Sequence, residues 1–163
     1  MRPPDGIEIA AVGLIRAAGR DPLTGLDNRR SLDALLDGAE LGDAFVLLDL
    51  DHFKNVNDAH GHAVGDLVLT DFAGVVTNQL RALDTAIRYG GEEVLLHLPQ
   101  TPIGHVGHVL TRLRDAWAGI APLTTFSAGA AMVTEAGHGR AALLNADKTL
   151  YLAKANGRDQ AVL

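Results

Sequence analysis

Four carboxylates in two tight groups, Asp49 with Asp51 and Glu92 with Glu93, are the side chains of this chain best suited to chemistry. The first pair falls where the apolar run Ala44-Phe45-Val46-Leu47-Leu48 gives way to polar sequence, and the second follows Gly90-Gly91 directly. If the two segments are neighbouring strands, carboxylates from both converge at one edge of a sheet. Oxygen ligands with few competing nitrogens suit Mg²⁺, which keeps water and substrate phosphates in its shell. Lys54 close by, with Lys154 and Arg158 beyond a Gly-containing turn, would meet phosphate charge. A plainer reading has Asp51, Asp58 and Asp66 starting turns and capping helices, with Glu92 and Glu93 simply solvated. Spacing alone leaves both readings open.

The elements that must position these residues follow from periodicity. Residues 6–19 read as a helix, with Ile7, Ala11, Leu14, Ile15 and Ala18 on one face. Pro22 and Gly25 interrupt it, and a second helix starts near Asn28 with Leu32, Leu35 and Leu36 as its buried side. Gly42 to Leu50 is apolar on both faces, as a central strand requires. A polar stretch, Asp51 to Gly65, leads to a helix expected over 66–80. Thr85 to Tyr89 and Glu93 to Leu98 form a hairpin around two glycines that tolerate positive φ. Then come a helix over 103–117, strand sequence over 124–133, and a helix over 140–155 stopped at Asn156-Gly157. Ala161-Val162-Leu163 suits an edge strand. The pattern predicts an α/β (α+β) domain with a central, largely antiparallel sheet flanked by helices.

Composition narrows the classes. The chain has 163 residues, the size of one domain, with 47% hydrophobic and 21% charged residues, which is globular composition. A net charge of −6 argues against nucleic-acid binding, which needs clustered Lys and Arg, but permits a small phosphate ligand. The lack of cysteine removes disulfides, thiolate metal sites and Cys nucleophiles. Ile7 to Ile15 is too short to span a membrane and has no signal-peptide n-region, so no targeting or membrane segment is expected, and a cytoplasmic location is.

Four ordered blocks resemble the GGDEF family of nucleotidyl cyclase domains. Asp21-Pro-Leu-Thr-Gly-Leu-Asp-Asn-Arg-Arg30 is similar to the entry motif. Asp49-Leu-Asp-His-Phe-Lys-Asn-Val-Asn-Asp58 with Gly61-His62 and Gly65-Asp66 is similar to the metal and guanine segment. Arg88-Tyr-Gly-Gly-Glu-Glu-Val94 resembles the signature in its Glu-for-Asp form, and Ala146-Asp147 through Arg158 resembles the C-terminal helix motif. The resemblance implies a polymerase-palm-like fold over residues 20–163, with 1–19 as a lead-in helix ending a stalk or linker.

The resemblance further implies a diguanylate cyclase that condenses two GTP into cyclic di-GMP and works as a homodimer. Asp49, Glu92 and the Leu50 carbonyl would bind Mg²⁺, or Mn²⁺ in its place. Glu92 would also serve as base and Lys54 as phosphate-charge stabiliser. Asn57 and Asp66 would read the guanine edge, and His62 lies beside that pocket or shapes the turn. Gly90 and Gly91 would admit the triphosphate, and Lys154 and Arg158 would grip its terminal phosphates. Arg81-Ala-Leu-Asp84 stands where the family carries an inhibitory product site, with Arg112 as a second contact; the competing reading is an Arg–Asp ion pair within a helix.

Two positions depart from the family pattern. Val94 replaces the usual Phe and could loosen the packing under Glu92, and His52 stands where an aromatic is common. The alternative function is a non-catalytic module that binds GTP or cyclic di-GMP and regulates a partner. His105 and His108 are expected as surface histidines, and Phe72 and Trp117 as core.

Overall fold

The computed structural model describes residues 19–120 and 122–163. The lead-in helix expected over 6–19 therefore lies outside the described residues, save Gly19, which sits in a turn. In chain order the elements are a 3-10 turn Arg29–Ser31, α1 Leu32–Asp37, β1 Ala44–Leu50, α2 Phe53–His60, α3 His62–Gln79, β2 Thr85–Arg88 and β3 Glu93–Leu98. They continue with α4 Ile103–Gly119, β4 Phe126–Met132, α5 Gly139–Ala155 and β5 Ala161–Val162.

One five-stranded sheet runs in the order β2-β3-β1-β4-β5. Every pairing is antiparallel except β4 with β5, which is parallel. β1 lies in the middle and is buried along its whole length, which is why its sequence is apolar on both faces. Side chains alternate along a strand, so β1 feeds two cores. Ala44, Val46, Leu48 and Leu50 pack with α2, α3 and α4, through Phe53, Phe72, Leu113 and Trp117 among others. Phe45 and Leu47 pack on the other side with Leu32 and Leu36 of α1 and Ala142, Ala146 and Leu150 of α5. Phe72 and Trp117 meet edge to face with ring centroids 5.0 Å apart, the core role expected of them.

The structure departs from the periodicity in three places. Asp51 to Gly65 is not an irregular polar stretch: it forms α2 and the start of α3. Phe53 and Val56, one turn apart, bury the inner side of α2, a stripe too narrow to stand out in polar sequence. His52 at φ 51° opens that helix and Gly61 at φ 84° ends it, so α3 begins at His62 rather than at 66. Near Asn28 the chain first makes the 3-10 turn, whose Asn28 side chain accepts a hydrogen bond from the Arg30 N–H at 3.0 Å.

Candidate active site

The same alternation decides what faces what at the end of β1. Asp49 shares the parity of Phe45 and Leu47 and points to the α5 side of the sheet. Its antiparallel partner on β3 is Glu93. From α5, the Lys154 Nζ donates to Asp49 Oδ2 at 2.8 Å. Burial raises the Asp49 carboxyl above its ordinary value; Lys154 and Arg158 draw it back down and the Asp51 charge pushes it up again, with the net shift upward. Glu93 is also raised, first by burial and then by repulsion from Asp49, with Lys154 opposing and Glu92 and Asp147 adding. The strand-end carboxylates thus form one coupled cluster that a single ammonium only partly neutralises. Glu93 is the member to which the family resemblance gives no role. An antiparallel register between β1 and β3 would have revealed it.

Asp51, 3% exposed, belongs to the support of this cluster. Its carboxylate accepts from Ser127 Oγ at 2.6 Å, Thr125 Oγ1 at 2.6 Å and the Asp159 N–H at 3.0 Å. It neither caps a helix nor starts a solvated turn, so the plainer reading fails there. Asp66 lies one turn inside α3 and Asp58 pairs with Lys54, so neither caps a helix.

The Gly90-Gly91 hairpin forms as expected, but not for the conformational reason. Left-handed glycines among the described residues are Gly25, Gly42, Gly61, Gly137 and Gly157, so neither hairpin glycine uses positive φ. A Cβ at Gly90 would lie 2.6 Å from Glu93 Oε2, so the end of that side chain would have to turn away. The Leu50 N–H donates to the Glu92 carbonyl at 3.3 Å, which ties the turn to the end of β1. Arg88 braces it from below, donating to the Gly91 carbonyl at 2.9 Å and pairing with Asp21 at 3.1 Å. Burial pushes the Asp21 carboxyl up, but bonds from Thr24 and the Arg88 charge outweigh that and hold it below the ordinary range. Val94 is 5% exposed and the ladder runs through it unbroken, so the strand behind Glu93 stays packed despite the missing aromatic ring.

On the other side of the sheet edge, α2 and α3 meet at Asn57 and Gly65. A Cβ at Gly65 would fall 1.8 Å from Asn57 Oδ1, so only glycine lets the amide lie against α3. Asp66 follows at once and is exposed, as is His62. Asn57 and Asp66 are therefore brought to one helix crossing. Lys54 is 88% exposed and pairs with Asp58 at 3.2 Å along α2.

Arg81 and Asp84 do not form an intrahelical pair. They close a β-turn after α3, with the Asp84 N–H donating to the Arg81 carbonyl at 3.1 Å. The Arg81 guanidinium donates to Asp84, to the Pro99 carbonyl at 3.1 Å and to Thr101 Oγ1 at 2.8 Å. Both residues line a groove of about 440 Å³ together with Arg20 and Asp27. Arg112 is exposed on α4 and does not line it. His105 and His108 are likewise exposed, their rings 6.2 Å apart.

Among the described residues no three His, Asp or Glu side chains form a ready metal cage. The donor set nevertheless fits a hard divalent cation, because Mg²⁺ is commonly held by one or two carboxylates and completed by substrate phosphates. Two carboxyls raised by burial and by neighbouring carboxylates are what such a cation would relieve. Glu92 and the Leu50 carbonyl stand at the same strand ends. No described helix is long and apolar enough to cross a membrane.

Comparison with known proteins bears on the family and the fold. The family model described as diguanylate cyclase, GGDEF domain matches residues 18–160. The response regulator PleD of Caulobacter vibrioides is 37% identical over 166 aligned positions, covering 91% of this chain and 36% of PleD. The diguanylate cyclase DgcP of Pseudomonas aeruginosa is 40% identical over 156, covering 86% of this chain and 23% of DgcP. The chain thus spans well under half the length of these relatives. A crystal structure of the coiled coil and GGDEF domain of DgcB from Caulobacter crescentus, in complex with c-di-GMP, superposes with a TM-score of 0.87 at 28% identity. That match covers 96% of this chain and 91% of the other.

Proposed function

Because this chain belongs to the GGDEF domain family, we propose that it is a diguanylate cyclase, condensing two GTP into cyclic di-GMP with release of two pyrophosphates. Residues 20–163 are then the catalytic domain and 1–19 its lead-in, acting in the cytoplasm. The observation that carries the reading is the register that sets Asp49 opposite Glu93 within reach of Lys154 and Arg158.

Asp49, Glu92 and the Leu50 carbonyl, with Glu93 beside them, are the groups that would hold Mg²⁺, or Mn²⁺ in its place. When bound, the cation supplies positive charge to the phosphate oxygens of the substrate. Glu92 takes the proton of the ribose 3′-hydroxyl as that oxygen attacks the α-phosphate of the second GTP. Lys54 leaves Asp58 to neutralise charge on the phosphates, and Lys154 and Arg158 hold the terminal pair. Gly90 and Gly91 let the backbone approach the triphosphate. Asn57 and Asp66 pair with the guanine edge, and a carboxylate acceptor at Asp66 disfavours adenine. His62 flanks that pocket. One domain offers half of the reaction, so two must face each other as a homodimer.

Arg81 and Asp84 are proposed to bind the product as an inhibitor, with the groove beside them as its seat and Arg112, exposed on α4 outside that groove, as a second contact to the part of the product that projects from it. No second reading is favoured by a particular observation; a module that binds guanine nucleotides without turnover remains an outcome of the test. Incubation with GTP and Mg²⁺ followed by chromatography should yield the cyclic dinucleotide, with Asp49→Asn slower by about a hundredfold or more. Binding of GTP without any product at high protein concentration would sink the enzyme reading.

A further inference from the structure

The segment that follows α5 is built in an unfavourable way. Gly157, Arg158 and Asp159 have φ of 116°, 63° and 46°, three successive residues in the left-handed region. Only the first is a glycine, and a side-chain-bearing residue seldom adopts that conformation unless its surroundings impose it. The imposing contacts can be named. The Arg158 N–H donates to the Ala153 carbonyl at 3.0 Å, which ends α5. The Asp159 N–H donates to Asp51 Oδ2 at 3.0 Å. From α4, the Arg114 guanidinium donates to the Asp159 carbonyl and, at 2.9 Å, to Asp159 Oδ1.

Asp51 is itself immobilised. It is buried, its carboxylate is filled by Ser127 and Thr125 as well as by Asp159, its N–H donates to the Thr125 carbonyl at 2.8 Å, and its carbonyl accepts from Thr124 Oγ1. With its oxygens occupied by three donors, it is poorly placed to ligate a cation. The Arg158 side chain is the opposite case: exposed, and with no hydrogen bond or ion pair to its guanidinium among the described residues. Its charge still reaches Asp49. A free cationic arm thus stands on a backbone that is held from two sides.

We propose that Asp51, with Arg114 as its outer counterpart, is a positioning residue that clamps the left-handed Arg158–Asp159 backbone so that the Arg158 guanidinium is pre-aimed at the terminal phosphates of the nucleotide. The binding energy of that contact is preserved because the backbone that carries the arm is ordered before the ligand arrives. This rests on the reading of Arg158 as a phosphate ligand, and the experiment separates the two.

The affinities of GMP and of the α,β-methylene analogue of GTP, which cannot be turned over here, are measured in Mg²⁺ for wild type, Asp51→Asn, Arg158→Ala and the double variant. Asp51→Asn should weaken the triphosphate analogue by about tenfold while leaving GMP unchanged, Arg158→Ala should do the same, and the double variant should lose no more than either. Analogue affinity unchanged in Asp51→Asn, a loss shared equally by GMP, or losses that multiply in the double variant would overturn the proposal while the role of Arg158 stands. An unchanged affinity in Arg158→Ala would instead remove the phosphate role itself, and the proposal with it. Should Asp51→Asn fail to fold by circular dichroism, Arg114→Ala decides: it loosens the same backbone from the half-exposed side, and a triphosphate-selective loss supports the clamp, whereas no loss overturns it.

Discussion

Glu93 and Asp49 face each other across the β1–β3 ladder, and both carboxyls are raised, each first by burial and then by other carboxylates of the cluster. A carboxyl with a raised folded value binds its proton more tightly in the fold than in the unfolded chain. Its contribution to stability is complete below the ordinary values of 3.8 for Asp and 4.5 for Glu, and is lost as pH rises through the raised ones. Without a divalent cation, the chain should therefore lose stability as pH climbs out of the carboxylate range. Glu93→Gln should melt higher than wild type at neutral pH, with the difference closing towards about pH 4. Mg²⁺ should raise the melting temperature of wild type more than that of the variant. Thermal melts from about pH 4 to about pH 8, with and without the cation, check this. A variant that melts lower at neutral pH would mean that Glu93 is stabilised by contacts rather than strained by charge.

At the scale of elements, the site depends on how closely α5 lies on β4. A Cβ at Gly129 would fall 2.1 Å from the Leu150 nitrogen and 2.4 Å from the Ala146 carbonyl oxygen, both backbone atoms that cannot step aside. Gly129→Ala should force α5 away from the sheet at a cost of about 3 kcal/mol in urea unfolding, and it should withdraw Lys154 from Asp49. Gly74 in α3 supplies the contrast: nothing lies within 4 Å of its Cβ position, and Gly74→Ala should stabilise by about 0.5–1 kcal/mol. Equal effects at the two positions would remove close approach as the explanation. The main strands and long helices were legible in the sequence because their apolar periods are strong. α2 was not, since only Phe53 and Val56 mark its buried side. The hairpin was legible for a reason that proved incomplete, because neither Gly90 nor Gly91 uses positive φ, and a Cβ at Gly90 would displace only the end of the Glu93 side chain.

At the scale of the molecule, the carboxylate cluster and the Lys154–Arg158 arm border the ends of β1 and β3, and the helices that cross at Asn57 and Asp66 follow β1 directly in the chain. If the proposed ring closure between two nucleotides uses two such edges, turnover per chain should fall on dilution. Replacing residues 1–18 with a parallel two-stranded coiled coil raises the effective concentration to about millimolar and should make specific activity independent of dilution. Activity of the unaltered chain that is equally independent of dilution would argue against assembly as the limiting step.

Residue types and their order determined the reaction class to be tested, because carboxylates, glycines and cations in four ordered blocks are local chemistry that survives in a linear string. They also determined the alternation of strands and helices, since burial on one side or both imprints a period. Which carboxylates face one another was decided only by tertiary structure. That Asp49 meets Glu93, that Lys154 spans to it from a helix 105 positions along the chain, and that Asp51 grips Asp159 are consequences of strand register and helix docking. Such contacts depend on the sum of packing on both faces of the sheet, and no short stretch of sequence encodes that sum.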